Sequence, residues 1–179
     1  IEMELNKLGI EFGQNIADDQ TKVPLFPAEL KGVPKDVVDR QIKSGSMILY
    51  GLDGPSYGPL MDYCEVPATR QKVWTLYRRR AGSKNVDVLE QLLKLRAEGA
   101  ALLGYKNTVD YEIETRMAKN SDTVAKFYKD LEPIVRKKAE ADKAEFLAAK
   151  RKFTKDPKAT FDPWDYAFYK NLLLKEKYA

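Results

Sequence analysis

Few side chains in this sequence are of a type that does covalent or metal chemistry. There is one thiol, Cys64, and no histidine among 179 residues. A cysteine nucleophile needs a neighbouring base or cation to activate it, so Cys64 reads as a small buried hydrophobe. The missing histidine also excludes, within this chain, His-ligated zinc, Ser-His-Asp triads and Cys-His pairs. The densest acidic group is Asp110, Glu112 and Glu114. Glycoside chemistry sets two carboxylates roughly 5–10 Å apart across a cleft, which neighbours along one short segment do not supply. Gly51, Gly54 and Gly58 lack the spacing of a phosphate loop and lead into no Gly-Lys-Ser/Thr. Arg78-Arg79-Arg80 could take a phosphate or an acidic partner, but reads better as a solvated helix end whose cations suit the C-terminal dipole. Lys137-Lys138 and Lys150-Arg151-Lys152, close to Glu140, Asp142 and Glu145, read as i,i+4 pairs on a solvated face. Tyr50, Tyr57 and Tyr63 around Pro59 could line a peptide groove; the stronger reading is that they cap a helical core. No catalytic, cofactor-binding or metal-ligating residue is assigned.

The segments that carry these groups are mostly helical by pattern. Hydrophobic residues make up 44% and charged residues 32%, with a net charge of +4 that is mixed along the chain rather than blocked. That mixing weakens a nucleic-acid or membrane-surface reading, which needs a concentrated basic patch. One cysteine permits no internal disulfide, and no apolar run approaches the ~20 residues of a membrane span. Leu5, Leu8, Phe12 and Ile16 recur at helical steps. Short helices are expected after Pro27 (Ala28 to Lys31) and after Pro34, with Val37, Val38 and Ile42 as its apolar positions. Met47 to Leu52, the turn Asp53-Gly54-Pro55-Ser56 and Tyr57 to Tyr63 read as a small β-hairpin. Further helices are expected over Pro67 to Arg80, Val86 to Leu103, Asp110 to Met117 and Ser121 to Phe153, the last kinked at Pro133. Asp162-Pro163 has the cap and first-turn residues of a final helix to Lys177.

The fold class is therefore mainly α: an irregular multi-helix bundle with one long helix and a small β-hairpin, read as a single helical subdomain over residues 1–179. Leu92, Leu95, Leu103, Phe127, Leu131 and Trp164 are the expected core. A continuous helix over Ser121 to Phe153 would be about 50 Å long, longer than the roughly 40 Å diameter of a compact domain of this size. The opening, Ile1-Glu-Met-Glu-Leu, starts within a helical pattern and has neither the basic nor the apolar region of a signal peptide. Both features lead us to expect a piece of something larger.

Several stretches, in order, resemble one family. Glu4-Leu-Asn-Lys-Leu-Gly-Ile-Glu-Phe-Gly-Gln-Asn15, Pro55-Ser-Tyr-Gly-Pro-Leu-Met61 and Ala68-Thr-Arg-Gln-Lys72 with Arg80-Ala81 are three of them. Leu102-Leu-Gly-Tyr-Lys-Asn107, Arg116-Met-Ala-Lys-Asn120 and Pro163-Trp-Asp-Tyr166 with Leu174-Lys-Glu-Lys-Tyr178 complete the set. Together they resemble the thimet oligopeptidase, neurolysin and dipeptidyl carboxypeptidase family of zinc metallopeptidases, over a region upstream of the zinc motif His-Glu-x-x-His. The resemblance implies a non-catalytic helical part of a cytoplasmic zinc oligopeptidase, forming scaffold and channel wall. Zinc and short peptide substrates would belong to the parent enzyme; this chain alone would be inactive, with the remainder of that enzyme as its partner. Part of the long helix, and the first-helix face with Leu5, Leu8 and Phe12, are expected to pack on that remainder. In isolation the chain should then self-associate or show a contiguous apolar strip. The alternative is a stand-alone helical interaction module that binds through the stripe on Ser121 to Phe153.

Overall fold

A computed structural model of the chain describes residues 1–178. Eight α-helices and three short strands run in the order α1 (Glu2–Ala17), β1 (Lys22–Leu25), α2 (Lys35–Asp39), β2 (Ile42–Ser44), β3 (Met47–Gly51), α3 (Gly54–Tyr63), α4 (Pro67–Arg78), α5 (Gly82–Leu102), α6 (Thr108–Ile113), α7 (Ser121–Thr154) and α8 (Tyr166–Tyr178). Single 3-10 turns occupy Pro27–Leu30 and Pro163–Asp165. The class is mainly α, as the patterning implies. The chain divides into two compact units: residues 1–19 with 81–139, and residues 20–80 with 140–179.

The first unit is built on α1 against α5. Leu8, Val88 and Leu92 are the buried side chains of its hydrophobic cluster, with Leu5, Phe12 and Leu95 packed around them. A polar clamp supports the pair: Asn15 donates to the Asn85 side chain at 2.9 Å, and Asn85 donates to the Phe12 carbonyl at 3.0 Å. The Leu5–Leu8–Phe12 face is thus satisfied by α5 inside the unit, which corrects the expectation that it waits for an outside partner. Ala81 takes a left-handed conformation, φ 53°, just before α5, and its N–H donates to the Asp19 carboxylate at 2.7 Å.

The second unit holds the larger core. The sheet order is β1-β3-β2, antiparallel throughout, with Val23 opposite Tyr50, Leu25 opposite Ile48, and Ser44 opposite Met47. Pro24 is tolerated because β1 is an edge strand. The hairpin is therefore β2–β3 around the two-residue turn Gly45-Ser46, with Gly45 at φ +59°. Ile42 belongs to strand β2 and not to the helix after Pro34. Tyr57 to Tyr63, expected as the second hairpin strand, lies instead in α3. The reason is local: Asp53 is the N-cap, its carboxylate accepting from the Ser56 N–H at 3.0 Å, and Pro55 presets the first turn. Asp-Gly-Pro-Ser serves a β-turn and a helix start equally well in sequence.

Beneath the sheet, Val23, Leu25, Tyr50, Leu60, Cys64 and Val73 are fully buried. Gly32 closes the back of this core at φ +89°, and a Cβ there would lie 2.3 Å from the Tyr63 carbonyl oxygen. Gly32→Ala combines a left-handed φ with a backbone clash and should destabilise the unit by roughly 1–3 kcal/mol. Urea denaturation followed by tryptophan fluorescence checks this; a shift below about 0.5 kcal/mol would mean that the loop relaxes freely.

Candidate functional site

The strongest convergence of charged groups is a buried network in the second unit, made by residues from three separate segments. Arg70 on α4 is fully buried. Its guanidinium donates to the Cys64 carbonyl at 2.7 Å, to the Trp164 carbonyl at 3.2 Å and to an Asp165 carboxylate oxygen at 2.7 Å. The other Asp165 oxygen takes the Lys150 ammonium at 2.6 Å and the Asp162 N–H at 3.0 Å. Asp162 adds a second carboxylate 3.7 Å from Lys150. Phe168 lies under the guanidinium, with 4.5 Å between the guanidinium carbon and the ring centre. Two cations and two carboxylates thus balance, and each guanidinium nitrogen has a hydrogen-bond partner. The Tyr169 hydroxyl is buried beside Arg70 without a hydrogen bond of good geometry, and burial raises its pKa.

This network sits in a closed joint that ties α4, the second half of α7 and the start of α8 together. Lys150, expected on a solvated face, is instead 8% exposed and paired inward. Its neighbours Arg151 and Lys152 remain exposed. Sequence pattern does not single out Arg70 and Asp165 as charges, although both stand inside family-like stretches, Ala68-Thr-Arg and Trp-Asp.

The other candidates resolve into structural roles. Tyr50 is fully buried and donates to the Ser56 carbonyl at 2.8 Å, while Tyr57 stacks on Tyr77 with ring centres 3.7 Å apart. Tyr63 is half-buried under Lys175, whose ammonium lies 4.5 Å from the ring centre. Tyr50 and Tyr57 therefore cap the core. Arg78 and Arg79 are exposed, and Arg80 folds over Tyr77 at 4.0 Å and donates to the Leu52 carbonyl. The acidic group is dispersed among local partners. Asp110 accepts from the Ser121 N–H at 2.7 Å and from Asn107 at 2.8 Å, Glu114 takes the Tyr105 hydroxyl, and Glu112 faces Arg116. The Ser121 N–H is the main cause holding the Asp110 carboxyl below its ordinary pKa. A cleft of about 340 Å³ beside β2 and α3 is lined by Arg40, Gln41, Asp53 and Ser56. Its polar groups bond one another: Gln41 takes the Gly51 N–H at 2.8 Å and donates to Ser56 at 3.1 Å. Among the described residues no group of three or more His, Cys, Asp or Glu could hold a metal ion, and no helix is long and apolar enough to cross a membrane.

Cys64 is fully buried, with Sγ 3.4 Å from the Glu29 carbonyl oxygen that Thr69 also reaches. Burial pushes its thiol pKa up. A disulfide reagent at neutral pH should therefore label Cys64 only after denaturant is added, since the thiolate is the reactive form. Stoichiometric labelling of the folded chain within minutes would contradict this placement.

Of the expected core, Leu92 is buried, and Leu95 and Trp164 are half-buried. Leu103, Phe127 and Leu131 are exposed, at 60%, 60% and 36%. Leu103 follows the last residue of α5, and Phe127 and Leu131 lie on a stretch of α7 that no neighbouring element covers: every residue from 125 to 141 is exposed.

Residues 60–179 match the family model of Peptidase family M3. Oligopeptidase A of Escherichia coli (strain K12) is 33% identical over 94% of this chain, which is 27% of the relative. A thimet-like oligopeptidase of Dictyostelium discoideum is 32% identical over 94% of the chain and 27% of its own length. A probable cytosolic oligopeptidase A of Arabidopsis thaliana is 31% identical over 99% of the chain and 28% of its own length. The chain thus spans about a quarter of the length of these relatives.

Proposed function

The chain belongs to peptidase family M3, and from that membership we propose that it is a non-catalytic helical part of a zinc-dependent oligopeptidase. In this reading it is one helical subdomain of the longer enzyme, made of the two compact units, and serves as scaffold and as wall of the peptide channel. Zinc, short peptide substrates and a cytoplasmic location belong to that parent enzyme. The observation that carries the reading is the pairing of M3 membership over most of the chain with a sequence that has no histidine at all. The hydrolytic zinc sites of peptidases need imidazole ligands and an open water position, so the chemistry must come from residues outside this chain. What the chain contributes is rigidity: a buried ion-paired joint, and a sheet braced on α3 and α4.

The test has two arms. The purified chain is dialysed, assayed for metal and offered a quenched fluorescent oligopeptide; neither stoichiometric zinc nor chelator-sensitive turnover is expected. The same chain is then grafted into E. coli oligopeptidase A in place of the matching stretch, and the graft should hydrolyse the peptide. Turnover by the chain alone, or a folded graft without activity, would overturn the reading. The second reading, a stand-alone helical interaction module, is favoured by one observation, the exposed apolar stripe of α7.

A further inference from the structure

Residues 125–141 of α7 are exposed on all sides. Phe127, Tyr128, Leu131, Ile134 and Val135 fall at three- and four-residue steps and form one stripe, with Ile134 71% and Tyr128 63% exposed. Asp130 and Glu132 flank Leu131, one on each edge, because consecutive helical residues are about 100° apart. Lys126 and Lys129 lie on the opposite side of the helix, Arg136 is ion-paired with Glu132 at one edge, and Lys137 lies close to Asp130 at the other. The stretch therefore has an apolar stripe with margins of mixed charge. It also contains Pro133 and runs unbroken through it. An internal proline costs a helix about 3 kcal/mol, and helices in water depend mainly on burial of their apolar face. A proline-bearing helix with its apolar face in solvent lacks the packing that would hold it. On α5 of the same unit, Val86, Leu89 and Leu93 form a second outward stripe, all at least 44% exposed. Contiguous apolar surface of this kind marks an interaction face.

We infer that the apolar stripe of α7 is a docking face for the part of a longer M3 polypeptide that this chain lacks. The occupant would be an apolar surface of that polypeptide. This inference rests on the reading of the chain as part of an oligopeptidase. One observation selects that occupant. The relatives match the chain over 94% or more of its length, yet the match is only 27–28% of theirs, so such a polypeptide carries surfaces that are absent here.

The test places Ile134→Lys with Val135→Lys, and separately the back-face control Lys129→Glu, in both the chain and the oligopeptidase A graft. In the chain alone the double variant should leave helicity and melting unchanged, because both side chains are already in solvent. In the graft it should lower the melting temperature by about 3 °C or more and speed hydrogen exchange over residues 124–138, with the control silent. A graft indifferent to the double variant overturns the docking face while the scaffold reading stands. A soluble, inactive graft whose residues 124–138 are slow to exchange keeps the docking face and overturns the scaffold reading. An insoluble graft counts against both. If the chain alone sediments as a dimer that the double variant dissociates, the occupant is a second copy and the inference fails.

Discussion

Asp165→Ala should be the most damaging single substitution in the second unit, at about 3–5 kcal/mol, the range for leaving a buried charge uncompensated. Asp165 is shared: one oxygen serves Arg70 and the other serves Lys150 and the Asp162 N–H. Its removal leaves Arg70 with carbonyl acceptors only, Lys150 with Asp162 at 3.7 Å, and the Asp162 N–H without its acceptor. Arg70→Ala should cost less than Asp165→Ala, because Lys150 still neutralises the carboxylate, and Lys150→Ala less again, because Lys150 keeps some solvent contact. The ordering follows from connectivity and not from the strength of any one ion pair. Buried ion pairs often contribute little net stability over well-packed apolar residues, so Arg70→Met with Lys150→Met and Asp165→Leu should cost less than Asp165→Ala alone. Trp74 and Trp164 meet edge to face beside the joint, their ring centres 5.9 Å apart. Their fluorescence during urea unfolding therefore reports on this unit. Equal losses for the three single substitutions, or an Asp165→Ala loss below about 1 kcal/mol, would show that the network is relaxed or hydrated.

Leu60→Ala should cost about 2–5 kcal/mol, through lost burial and the cavity left behind. Leu60 is fully buried on α3, in the same cluster as the sheet residues Leu25 and Tyr50 and as Val73 of α4. Ile134→Ala is the matched comparison: the residue is equally apolar but 71% exposed in α7, so its cost should stay within about 0.5 kcal/mol. The two measured side by side, by the same tryptophan fluorescence for Leu60 and by helicity for Ile134, separate apolar content from apolar burial. A Leu60→Ala loss under about 1 kcal/mol would show that the sheet and α3 do not share one core.

Much of the helical layout was legible because it is written in short-range chemistry. Pro67, Ser121 and Asp162-Pro163 mark true helix beginnings, and Ala81-Gly82 marks a true break. Caps and prolines act within one turn, so their meaning does not depend on distant residues. The hairpin shows the limit of that logic. Met47 to Gly51 is a strand as its composition suggests, but its neighbours had to be guessed, and Asp53-Gly54-Pro55-Ser56 fits two structures. Which one forms depends on whether Leu60 and Met61 are buried as a helix face, and that is a long-range matter.

The absence of histidine, the single cysteine and the run of family-like stretches already determined, without coordinates, that this chain carries no His-based chemistry and that it resembles an oligopeptidase. Those are statements about which atoms exist and in what order, and folding cannot change them. Tertiary structure alone decided which polar residues are inside. Lys150 and Arg151 are adjacent basic residues of one helix, yet one is paired inward with Asp165 and the other faces solvent. Phe127 and Leu131 have the same periodicity as Val88 and Leu92, yet only the latter pair meets a partner helix within the unit. Periodicity reports that a face wants burial, because removing apolar area from water is favourable wherever it happens. It carries no information on what does the burying, which is a property of the surface brought against it.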